Sequence, residues 1–84
     1  MPQIGHYHAI CAEVARLLEK ERKRRRLTKY AVSQRSGVSE PMLSLMGKGL
    51  RNPSLATMLR IADGIGADLP TLIRKAQATL LKKK

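Results

Sequence analysis

Residues 27–54, LTKYAVSQRSGVSEPMLSLMGKGLRNPS, read as two short helices joined by a tight turn. Thr28 is a good N-cap for a helix from Lys29 to Ser36. Gly37 stands where that helix would end in a left-handed residue that only glycine adopts cheaply. Ser39 caps the next helix, Glu40 to about Met46. Pro41 is tolerated in its first turn because the amide it lacks has no intrahelical partner there. The run Gly47-Lys48-Gly49 ends that helix. Two helices meeting steeply need a small side chain at their contact, and Ser33, four residues before Gly37, supplies it. Val32, Val38, Leu43 and Met46 then seat the pair on a core, which leaves Glu40, Pro41, Ser44, Leu45 and Lys48 on the outward side.

Upstream, Ile10, Cys11, Val14, Leu17 and Leu18 recur at helical spacing, and the same helix runs on into the basic stretch from Lys20 to Arg26. Downstream, after the loop Leu50-Arg51-Asn52-Pro53, Ser54 caps a fourth helix. Its Leu55, Met58, Leu59, Ala62 and Ile65 are expected to face inward, and it stops near Gly66. Asp68 caps a fifth helix whose stripe is Leu69, Leu72, Ile73, Ala76 and Leu80, and Lys82-Lys83-Lys84 reads as a solvated tail. The expected architecture is all-α: a compact five-helix unit over residues 1–84, with its core within 10–81.

Seventeen Lys and Arg against six Asp and Glu give a net charge of +11, which points to a polyanionic partner. With no Trp or Phe and only Tyr7 and Tyr30, a base-stacking platform for single strands is poorly supplied, so duplex DNA is the better candidate. The single Cys11 rules out an internal disulfide and suits a reducing compartment. It reads as a small packing residue. His6 and His8 flank Tyr7 without further ligands nearby, and no metal or other cofactor is expected. No window approaches the roughly 20 apolar residues of a membrane span, and the expected location is the cytoplasm, in a bacterial nucleoid or a phage-infected cell. No nucleophile, base and orienting group recur in a recognisable motif, so an enzyme is not expected.

The ordered set Arg22, Leu27-Thr28, Gly37-Val38-Ser39, Gly49, Arg51-Asn52-Pro53-Ser54, Leu55, Leu59, Ile61-Ala62, Ile65-Gly66 and Leu72 resembles the lambda-repressor-like helix-turn-helix family, the Cro and XRE group of bacterial and phage regulators. The resemblance covers about Val14 to Ala76. It implies a sequence-preferring DNA-binding transcription regulator, with repression the expected direction, whose third helix enters the major groove of double-stranded DNA. Phosphate contacts are implied for Thr28, Lys29, Ser39, Lys48, Arg51, Asn52 and Ser54, and base contacts for Glu40, Pro41, Ser44 and Leu45. Pro41 has no side-chain donor and Leu45 offers only an apolar contact, so direct readout is expected to be weak and much of the affinity electrostatic.

Such modules act as homodimers. The Leu72, Ile73, Ala76, Leu80 and Leu81 side of helix 5 is the expected seam, and one small domain leaves little room for an effector pocket. Many family members carry Glu at the position of Gly47, paired with the Arg that corresponds to Arg22. Here Arg22 lacks that partner and is expected to turn to solvent or to a carbonyl, and Gly47→Glu is expected to raise the melting temperature. The alternatives are an antitoxin-type operator binder and a protein-interaction module whose helix-turn-helix has lost base recognition.

Overall fold

The computed structural model describes residues 4–82, with the side chains of Ile4 and Lys82 outside the description. Five helices follow one another: α1 (Ile4–Arg24), α2 (Lys29–Ser36), α3 (Glu40–Gly47), α4 (Leu55–Ile65) and α5 (Leu69–Lys82). The described residues contain no strand. Local chemistry sets most of these bounds. Thr28, Ser39 and Ser54 each sit in extended conformation before α2, α3 and α4, and each side-chain oxygen accepts from the amide three residues on. Gly37 takes the left-handed conformation, φ 74°, and its amide donates to the Ser33 carbonyl, so α2 ends there and α3 can turn back steeply. Asp68 stands just before α5, where its carboxylate accepts from the Thr71 hydroxyl.

Val14, Ala15 and Leu18 of α1 meet Val32, Leu43 and Met46 of the short helices, Met58, Ile61, Ala62 and Ile65 of α4, and Leu69, Leu72 and Ala76 of α5. Each fully buried aliphatic side chain stabilises this core by about 1.5–3 kcal/mol relative to exposure. The start of α5 lies against the end of α1, and α4 packs mainly on α2. That last contact is close. A Cβ on the buried Gly64 would fall 3.3 Å from Cβ of Arg35, so any larger residue there would push α2 and α4 apart.

Four expectations change. The first helix begins at Ile4, well before the apolar stripe at Ile10, because Gly5, Tyr7, His8 and Ala9 are exposed and leave no periodic signal. Leu55 and Leu59 do not face inward: they are 58% and 49% exposed, and Ile61 takes the core position instead. The α4 sequence offers two overlapping stripes at helical spacing, and the one that meets α2 wins. On α5, Leu72 and Ala76 are buried in the chain's own core, which leaves the half-buried Ile73 and Leu80 and the exposed Leu81 as the accessible part of the expected seam. Finally, Lys82 closes α5 rather than following it, while Lys83 and Lys84 lie outside the described residues.

Candidate nucleic-acid interface

The outward side of α3 starts from its cap. Ser39 Oγ accepts from the Met42 amide at 3.2 Å, which fixes the helix start and sets Glu40 and Pro41 in the exposed first turn. Leu43 and Met46 are buried on the core side. Helical spacing therefore groups Glu40, Pro41, Ser44, Leu45 and Lys48 away from the core; Glu40, Pro41 and Lys48 are exposed, and Ser44 and Leu45 half-buried.

The cations expected to meet phosphate stand at the start of α2 and at and after the end of α3. Lys29 opens α2 next to its cap Thr28, whose Oγ1 accepts from the Ala31 amide at 3.0 Å. Lys48 is the C-cap of α3, and Arg51 is exposed in the following loop. Among the described residues, Lys29, Lys48 and Arg51 have no ion-pair partner. Ser54 closes the loop: its Oγ accepts from the Thr57 amide at 3.1 Å and donates to Thr57 Oγ1 at 3.0 Å. The two amides that follow belong to the first turn of α4, which has no intrahelical acceptor for them. Asn52 behaves differently from the other loop residues. Its Nδ2 donates to the His8 carbonyl of α1 at 3.2 Å, so this side chain ties the loop down as well as standing in it.

The three acids of α1 are paired within that helix, while Glu40 stands on the α3 face itself. Glu13 pairs with Arg16, Glu21 with Arg24 and Arg25, and Glu19 with Arg22. The Arg22 hydrogen bonds hold the Glu19 carboxyl below its usual pKa, against the opposing effect of burial, and the nearby Lys23 and Lys29 charges assist. Glu21 is lowered in the same way, chiefly by its hydrogen bonds from Arg24.

The expectation for Arg22 is met in one part. Its Nη1 donates to the Leu27 carbonyl at 2.6 Å, but the group also has a carboxylate partner, Glu19, which the resemblance did not indicate. The signal was present as an acid and an arginine three residues apart on one helix. Two further arginines act on α4. Arg25 donates to the Ile65 carbonyl at 2.8 Å and Arg35 to the Gly64 carbonyl at 3.3 Å. Both stand at the negative end of the α4 dipole, where cations are favoured.

Residues 13–75 match the family described as the helix-turn-helix domain. The chain belongs to that family. No curated protein and no solved structure matches the chain. The matched region of this helix-turn-helix domain runs from Glu13 in α1 to Lys75 in α5 and contains the whole candidate face. Membership suggests a DNA-binding regulator, in a family that is typically non-enzymatic. Among the described residues no group of three or more His, Cys, Asp or Glu could hold a metal ion, and no helix is long and apolar enough to cross a membrane.

Proposed function

We propose that the chain is a sequence-preferring regulator of transcription, a repressor, that lays α3 in the major groove of duplex DNA. Residues 4–82 act as one DNA-binding unit. The observation that carries this reading is the arrangement around α3: Glu40, Pro41, Ser44 and Leu45 face outward, flanked by Lys29, Lys48 and Arg51, which have no ion-pair partner among the described residues. The cations and the first turn of α4 take phosphates and fix the register, which carries no sequence information by itself. Glu40 accepts from a cytosine amino group and Leu45 meets a thymine methyl, while Pro41 adds shape alone. Preference over random DNA then falls near the lower end of the specific range, roughly 10³-fold.

A second copy of the chain is the natural companion on DNA. Leu50, Leu55 and Leu59 are exposed on either side of the Arg51–Ser54 loop, and Leu81 is exposed near the end of α5. That surface amounts to a few hundred Å², well under the roughly 800 Å² per partner of a standard interface. Each copy also carries +11. Pairing therefore depends on the DNA, which neutralises the repulsion and holds both copies one helical turn apart.

Selection of bound duplexes from a random library, followed by titration of the best and of scrambled duplexes across a salt series, tests the reading. A palindromic motif with a steep salt slope is expected. Equal affinity for all duplexes would make the protein a general DNA binder. No binding even at low salt would leave a protein-interaction module, for which the same exposed leucines would serve.

A further inference from the structure

The Arg22–Glu19 pair is largely sheltered, with side chains 13% and 18% exposed. The carboxylate takes Nε at 2.8 Å and Nη2 at 2.9 Å, a two-point fork, while Nη1 reaches the Leu27 carbonyl just before α2. One guanidinium therefore fixes the carboxylate relative to the start of α2. On its other side that carboxylate lies over α3. A Cβ on Gly47 would stand 3.2 Å from Glu19 Oε2 and 3.3 Å from Cδ, closer than side chains ordinarily pack. Beneath the contact a cavity of about 10 Å³ is bounded by Glu19, Arg22, Gly47 and the apolar Ala15, Leu18 and Ile61. A side chain at position 47 enters this space only if the end of Glu19 gives way.

We propose that Glu19 and Gly47 are a matched pair that positions the reading helix: α1 supplies the carboxylate that neutralises Arg22, and α3 omits its side chain at position 47 to admit it. Glu19 is thus a positioning residue for base recognition, which rests on the function proposed above. The arrangement has an electrostatic advantage. A carboxylate carried by residue 47 would sit at the negative end of the α3 dipole beside Lys48, weakening the nearest phosphate-seeking cation; on α1 it sits before the last turn of the helix, with Lys23 and Lys29 near it. Because Gly47 is the last residue of α3, a shift of its contact with Glu19 tilts the helix and moves Ser44 and Leu45 relative to the bases.

The test is a relocation cycle of E19A, G47E and E19A/G47E, read by thermal melting and by affinity for the selected and scrambled duplexes at a temperature where each variant is folded by circular dichroism. E19A is expected to lower the melting temperature and to reduce the preference for the selected duplex about tenfold. Its affinity for scrambled DNA should not fall, because a negative charge has been removed; a merely structural role would leave the preference unchanged. G47E alone should fail to raise the melting temperature, since two carboxylates compete for one site. The double variant should recover most of both losses, as the carboxylate re-enters the vacated space from α3. Additive losses in the double variant, a stabilising G47E, or an unchanged preference in E19A would overturn the proposal. If E19A does not fold, folding of the double variant decides the matter, and its failure to fold would overturn the pairing. Absence of DNA binding by the parent chain would strike the proposed function instead, and with it the positioning role, while the pairing would still be decided by the melting temperatures.

Discussion

The end of α1 and the surroundings of α3 are both rich in cations, yet the two regions use them in opposite ways. In the run from Lys20 to Arg26, the three arginines Arg22, Arg24 and Arg25 point at protein: at Glu19, at Glu21, and at the carbonyls of Leu27 and Ile65, while Lys20, Lys23 and Arg26 have no ion-pair partner among the described residues. Around α3, Lys29, Lys48 and Arg51 have no such partner among the described residues. Planar arginine forks with an acid three or four residues before them close onto their own helix. Lys29, Lys48 and Arg51 have no acid three or four residues before them. A dense basic run is therefore a poor guide to a DNA-binding surface. The spacing of acids within it is a better one.

Three variants break or sharpen this contrast. Arg22→Ala leaves the part-buried Glu19 without its counter-charge and the Leu27 carbonyl without its donor, and is expected to cost about 1.5–3 kcal/mol in urea unfolding. A loss comparable to that of an exposed lysine would remove the distinction between the regions. Replacing Lys29, Lys48 and Arg51 together by Ala should leave unfolding nearly unchanged. Salt titration of DNA binding should then show a slope shallower by about 0.9 for each phosphate that is no longer neutralised. An unaltered slope would place the phosphate-binding groups elsewhere.

The smallest effect concerns Arg26, the non-glycine residue in left-handed conformation at φ 58°, where the Leu27 amide returns to the Arg22 carbonyl at 3.1 Å. The end of α4 makes the same six-residue closure, Ala67 amide to Ala62 carbonyl, with Gly66 at the left-handed position. Arg26→Gly is expected to stabilise the fold by roughly 0.5–1 kcal/mol, read from the urea midpoint. No gain would mean that the Arg26 side chain contributes to folding in a way its surroundings do not reveal.

Where structure follows from neighbours in the chain, the sequence was sufficient. Thr28, Ser39, Gly37, Ser54 and Gly66 mark helix ends through hydrogen bonds spanning three to five residues, and those ends stand where the pattern places them. The face of α4 was not legible, because Leu55, Met58, Leu59, Ile61, Ala62 and Ile65 satisfy helical periodicity about two axes, and only the docking of α2 selects one. The first turns of α1 carry no apolar stripe and so gave no signal. On the candidate site, the outward group Glu40, Pro41, Ser44, Leu45 and Lys48 could be read from spacing. The family pattern puts the partner of Arg22 on α3, whereas it stands on α1. On the pairing proposed above, a carboxylate added at Gly47 would crowd the one already in place.

The hydrogen bond from Asn52 to the His8 carbonyl joins positions 44 residues apart, and its acceptor lies before the region shared with the family. A protein trimmed to residues 13–75 would keep most of its core and lose the anchor of the loop that carries Arg51. The boundary of likeness and the boundary of the working part are different lines in this molecule. The first two turns of α1, unremarkable in composition, act as a splint for a loop that lies beyond the middle of the sequence.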